Sequence, residues 1–173
     1  DLMETVQHGS NLYPFQFYYE DLSVFDFNCI EWHWHTELEF IYIESGTVTL
    51  WIGEDQFNLT EGNGIFINTK VLHRLYSPSK ALIPNFVFMP SFIAPCDSLI
   101  YQKYILPIIS SSLPFLVFHK KVCWQAKVLS IMRQIISAQD SVLSKELLTS
   151  SLLQNLWLEI FENTDISYQE EHK

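Results

Sequence analysis

Four residues of this chain form a donor set that could do chemistry: His33, His35, Glu39 and, further along, His73. The first three stand in the run His33-Trp34-His35-Thr36-Glu37-Leu38-Glu39. On a β-strand, residues i and i+2 project to one face. His33 and His35 therefore project together, and so do Glu37 and Glu39 if the strand continues. Imidazole nitrogens with a carboxylate suit zinc, iron, manganese or nickel. A single histidine is most often a satisfied polar group and nothing more. Four donors at this spacing imply either a metal or a pocket lined for hydrogen bonding, and so either an enzyme or a sensor.

These residues need strands to position them, and the first part of the chain reads as strands. Segments 13–19, 28–35, 37–43, 47–52, 56–59, 65–67, 73–76 and 83–88 are rich in β-branched and aromatic residues. Turn residues separate them: Ser45-Gly46, Gly53-Glu54-Asp55, Glu61-Gly62-Asn63-Gly64 and Ser77-Pro78. Short strands with this punctuation predict an antiparallel sandwich or barrel. The stretch from Phe40 to Ile43 is apolar at every position, so one sheet is expected to be covered on both faces. The pattern changes after Pro95. A helix is expected over 97–109, capped by Asp97 or Ser98 with Pro107 near its end, then a strand over 113–119. Two amphipathic helices are expected over 124–139 and 144–161. In the second, Leu148, Leu152, Leu156 and Ile160 stand four apart. That stripe can pack on the sheet, or it can pair with a second copy in an isologous dimer. The polar, acidic end, 163–173, reads as a linker or tail.

Composition bounds the function. With 173 residues, 48% of them hydrophobic and 15% aromatic, the chain can build a sizeable core. The formal net charge of −10 argues against a nucleic-acid surface, which needs clustered Lys and Arg. Cys29, Cys96 and Cys123 are odd in number and form no Cys-x-x-Cys pair, which predicts reduced thiols in a cytoplasmic protein. No signal peptide and no long apolar run is evident, so no membrane partner is expected.

The donor spacing continues into a recognisable pattern. His33-x-His35, three residues, Glu39, six residues and Gly46, then Gly62 and later His73, resembles the two motifs of the cupin superfamily. That resemblance implies a double-stranded β-helix, related to the jelly rolls, with the four residues at the metal-ligating positions. There are departures. The leading glycine of the first motif falls at Phe27, the usual Pro and Gly of the second at Asn68 and Lys70, and its closing Asn at Ser77. The flanks "ELEFIYIESG", "EGNGIFINTKVLH" and "LIYQKYILPII" narrow the likeness. From about residue 13 to 162 the chain resembles the N-terminal sensor domain of AraC-family transcription regulators.

The resemblance implies a mainly β fold: a cupin barrel with an N-terminal arm over 1–95, a helical extension with a short strand over 96–162, and a tail over 163–173 leading to a DNA-binding domain absent from this chain. It implies a small-molecule effector in the barrel, often a sugar in that family, and a homodimer built on the trailing helices, with Leu148, Leu152, Leu156 and Ile160 as the candidate face. His33, His35, Glu39 and His73 would meet a small polar or anionic ligand, or hold one divalent ion (Zn, Ni, Mn or Fe). Trp51 and Phe66 are candidate apolar or stacking walls, with Ile41, Leu50, Leu75 and Phe88 as alternatives, because the inward register is open. The arm, 1–14, is a candidate moving part. The alternative function is a metal-dependent cupin enzyme, a dioxygenase or isomerase, using the same four donors. Many activities share this fold, so the fold alone does not decide.

Overall fold

A computed structural model describes residues 1–165. Nine strands form two antiparallel sheets. The five-stranded sheet has the order β1 (Phe15–Asp21), β8 (Leu82–Phe88), β3 (Leu38–Tyr42), β6 (Gly64–Ile67), β9 (Phe115–Phe118). The four-stranded sheet has the order β2 (Cys29–His33), β7 (His73–Tyr76), β4 (Thr47–Ile52), β5 (Asp55–Thr60). The strand order jumps between neighbours in both sheets, as in the cupin, jelly-roll-like arrangement. The sheets remain two hydrogen-bonded layers and do not close into one continuous barrel.

The central strands of the five-stranded sheet, β8, β3 and β6, are buried on both faces, as their apolar runs require. Ile41, Ile65, Ile67 and Ile83 turn toward the four-stranded sheet and meet Val48, Leu50, Leu59 and Leu75 there. The alternate residues Phe40, Phe66, Phe86 and Phe88 turn the other way, against the helices. This second core is sealed by α2 (Cys123–Ala138) and α3 (Lys145–Asn163), whose Leu129, Met132, Leu156 and Trp157 pack on the phenylalanines. The Trp157 ring stands edge-on to Phe66 at 5.8 Å, and its Nε1 donates to Tyr104 O at 2.8 Å.

The segment expected as one helix over 97–109 is helical from Leu99 to Ile109, with a π-helical stretch, Tyr101–Ile105, between its first residues and a last α-turn, α1 (Leu106–Ile109). Pro107 has no N–H and crowds the carbonyl four residues back, which accounts for the widened turn. Ser98 is the residue that caps it, its Oγ accepting from Tyr101 N at 3.2 Å. The tail expected over 163–173 lies, from residue 166 on, outside the described residues. No helix among the described residues is long and apolar enough to cross a membrane.

The turns explain the departures from the cupin pattern. Gly46 and Gly62 adopt φ of 87° and 88°, and a Cβ on Gly46 would come within 2.7 Å of the Lys80 carbonyl. Phe27 and Lys70, where the resemblance led one to look for glycine, keep the glycine conformation at φ of 58° and 60°. The backbone path is retained and the side chains bear the strain, on the order of 1–2 kcal/mol at each.

Part of the four-apart stripe of α3 serves this chain's own core. Leu156 and Ile160 are fully buried inside this chain, and Leu152 packs against the same core. Leu148 is 39% exposed. A wide apolar helix face is needed simply to cover the outer side of the sheet, which is why the stripe exists. Leu156→Ala should therefore cost about 2–5 kcal/mol in urea unfolding, and Leu148→Ala well under half of that.

Candidate metal and ligand site

The site is built across both sheets. His33 closes β2 and is paired with His73 at the start of β7, so these two belong to the four-stranded sheet. Glu39 sits on β3 of the opposite sheet, paired with Ile67 and Val87. His35 lies in the connection between β2 and β3. A register shift between Ile30 and His33 marks a bulge that re-aims the end of β2. The result gathers all four sequence-predicted donors: their ligand atoms lie within 4.8 Å of one another.

Each histidine is oriented by a backbone carbonyl. His33 Nδ1 lies 2.8 Å from Glu31 O, His35 Nδ1 3.0 Å from Glu37 O and His73 Nδ1 2.8 Å from Val71 O. A carbonyl only accepts, so each Nδ1 carries a proton and donates it. That leaves Nε2 as the remaining nitrogen of every ring. Two of these, on His35 and His73, both lie 3.1 Å from Glu39 Oε2. A carboxylate also only accepts, so these contacts need protonated rings or a cation among the four groups.

The electrostatics follow. Burial opposes the charged form of Glu39, but hydrogen bonds from His35 and His73 outweigh it and hold the carboxyl well below the usual range. Burial likewise opposes the His35 cation, and Glu39 more than compensates, raising its pKa to about 9. For His33, burial and then the neighbouring His73 lower the pKa. The cluster is thus electrostatically closed around Glu39.

Above the cluster is a cavity of about 270 Å³, at the small end of ligand pockets. The arm forms one wall. Trp34 N donates to Leu2 O at 3.0 Å and Glu4 N to Trp34 O at 2.9 Å, laying the arm parallel to the end of β2. This brings Glu4, Val6 and His8 to the cavity. His8 is buried, with Nδ1 2.6 Å from the Tyr18 hydroxyl. Its Nε2 is 3.3 Å from Glu4 Oε2, too poorly aligned for a hydrogen bond.

Other sequence-predicted wall residues divide by strand parity. Ile41 and Leu75 line the cavity. Leu50 fills the core between the sheets, and Phe88 lies on the helix side. Trp51 and Phe66 are corrections. Trp51 projects from the outer face of β4, with the Arg74 guanidinium 4.6 Å from its ring centroid. Phe66 is buried under the helices against Phe40 and Trp157.

Residues not foreseen from sequence complete the pocket: Glu4, His8, Tyr18, Glu20 and Asn85. Tyr18 and Glu20 alternate with Phe15 and Phe17 along β1, and Asn85 interrupts the apolar run of β8. Those polar positions on otherwise buried strands were the available signal.

The AraC-like ligand binding domain family model matches residues 16–157. The chain belongs to this family. A curated relative, an uncharacterized HTH-type transcriptional regulator named YdeC from Bacillus subtilis (strain 168), is 25% identical over 139 residues. That alignment covers 78% of this chain and 47% of YdeC, so the chain spans about half the length of this relative. Among solved structures, ToxT from Vibrio cholerae aligns with a TM-score of 0.59 at 14% identity, covering 90% of this chain and 57% of that one. ToxT from strain O395, bound to (E)-4-(8-methylnaphthalen-1-yl)but-3-enoic acid, gives 0.55 at 15% identity, covering 88% and 61%. A cupin superfamily protein from Desulfitobacterium hafniense DCB-2 overlaps 47% of this chain and 71% of its own at 10% identity, with a TM-score of 0.41. At these identities the likeness to ToxT establishes a shared fold.

One group in the domain's pocket is left electrostatically unsupported. Burial, then the charge of Glu39, pushes the Glu20 carboxyl up from 4.5 to about 7. Below about pH 4 it is protonated in both folded and unfolded chains and has no effect. Between 4.5 and about 7 the unfolded chain releases a proton that the folded chain keeps, so stability falls as pH rises through this window. Glu20→Gln should therefore stabilise the metal-free domain at about pH 8, by on the order of 2 kcal/mol, and by clearly less at about pH 5, as read by denaturant unfolding.

Proposed function

We propose that this domain senses a small molecule for a bacterial AraC-type transcription regulator whose DNA binding resides in a separate domain. In this reading His33, His35, Glu39 and His73 hold one divalent transition metal (Zn, Ni, Mn or Fe) at the floor of the ligand cavity. The observation that carries the sensing half is the arm. It is hydrogen-bonded to Trp34 and lays Glu4, Val6 and His8 over the cavity, so its position depends on what the cavity contains. A ligand that binds better beneath one arm position than another shifts the domain between the two. The regulator name of YdeC and the small acid bound by ToxT support the same reading.

The donor set fits a metal on its own chemistry. Metal-bound histidines characteristically donate their second ring N–H to a carbonyl or carboxylate, which fixes the tautomer. All three rings here do so. An ion with bonds of about 2.1 Å keeps its donors roughly 3–4 Å apart, and the four atoms present are within 4.8 Å. Such an ion, when bound, would offer open coordination positions to a ligand oxygen or nitrogen. The protein's own contribution is to orient the imidazoles, bury Glu39 and exclude bulk water with the arm. A dioxygenase or isomerase would use the same donors. The arm packed over them favours the sensing role.

Elemental analysis of protein purified without a metal-affinity tag tests the metal half. Roughly one equivalent per chain is expected, falling by most of its value in His35→Ala and His73→Ala. Unchanged metal content in both variants would remove the site.

A further inference from the structure

The cavity has a polar wall where β1 and β8 lie side by side, with Tyr18 paired to Asn85 and Glu20 to Ile83. Three carboxylates line the cavity, those of Glu4, Glu20 and Glu39, and no Lys or Arg does. Two of the three have imidazole partners within the protein: Glu39 lies 3.1 Å from His35 and His73, and Glu4 3.3 Å from His8. Glu20 enters no ion pair among the described residues. The polar side chain beside it is Asn85. Asn85 is only 3% exposed and lines the cavity; its Nδ2 donates one N–H to Ile83 O at 3.0 Å and has a second to offer Glu20. Its Oδ1 accepts no hydrogen bond among the described residues. This wall of the cavity therefore presents a carboxylate with no ion-pair partner among the described residues and a free amide oxygen beside it.

We propose that the cavity takes a cationic ligand, an amine, whose ammonium group is received by the Glu20 carboxylate and the Asn85 Oδ1. The inference rests on the small-molecule reading above and names the ligand's chemical class. An ammonium brings up to three N–H donors, enough to meet both the carboxylate and the amide oxygen. It also gives a partly buried carboxylate the counter-charge that burial requires. A carboxylic acid at this wall would stand against the Glu20 carboxylate, which has no ion-pair partner of its own among the described residues. The upward displacement of Glu20 agrees, because a carboxylate with a resident cation is displaced downward. Filling the His33, His35, Glu39 and His73 set with a divalent ion would neutralise Glu39 and leave Glu20 unpaired.

Size-matched probes that differ only in charge decide the matter. Two triplets suit a cavity of this size: 4-aminobutanol, butane-1,4-diol and 4-hydroxybutyrate, and glucosamine, glucose and glucuronate. Each is titrated by thermal shift against wild type, Glu20→Gln and the exposed-surface control Glu54→Gln, in metal-free and zinc-loaded protein. The amine of at least one triplet should bind about tenfold tighter than its neutral and acidic partners, and lose about tenfold in Glu20→Gln but not in Glu54→Gln. If the acids or neutral probes bind best, or if amine binding survives Glu20→Gln, the amine assignment is overturned and small-molecule sensing stands. If no probe of any charge shifts the melting of any variant, both are overturned.

Discussion

Glu39 is the constraint around which this domain is arranged. Its carboxylate lies in the gap between two sheets, belongs to one, and is met by His73 from the other and by His35 from the connection between them. An isolated buried carboxylate costs several kcal/mol, so its partners must be in place when the sheets meet. That requirement fixes more than the local contact. The bulge at the end of β2, the carbonyls that orient each ring, and the pairing of His33 with His73 all serve to aim nitrogen atoms at one point. The ligand cavity is what remains beyond that point.

The rest of the architecture keeps the point rigid. The five-stranded sheet is a shared wall between two cores, with isoleucines facing the site layer and phenylalanines facing the helices. Because α2 and α3 cover the outer face, β3 is buried on both sides, and Glu39 projects from a strand with no freedom to move. The mobile contribution comes from the opposite direction. The arm is joined to the body near the site by a short parallel bridge at Trp34, a far weaker attachment than a packed strand. In the proposed function the site holds and the arm responds.

The donor quartet was legible because cupin spacing is a local pattern: alternation places His33 with His35, and the turns at Gly46 and Gly62 are visible as glycine. The two-sided burial of β3 was also legible, from the unbroken apolar run around Phe40. What was not legible depends on parity and on partners. Trp51 and Phe66 are as apolar as any pocket wall, and only the register shows one facing outward and the other facing the helices. Leu156 and Ile160 form a stripe whose sequence is the same whether it covers a sheet or a second subunit. Phe27 and Lys70 looked like departures from the motif, yet they keep the backbone conformation that glycine would have taken. Glu20 and Asn85 came together only through the pairing of β1 with β8, a contact some 65 residues apart in the chain that no local pattern encodes.

The claim on which the account stands is that three imidazole nitrogens and Glu39 converge on one cation position at the cavity floor. Anomalous diffraction from crystals of the domain grown with zinc or manganese reads that position directly. The account predicts one dominant peak about 2.1 Å from Nε2 of His33, His35 and His73 and from a Glu39 oxygen. A peak elsewhere on the molecule, with Glu39 still bonded directly to His35 and His73, would contradict it.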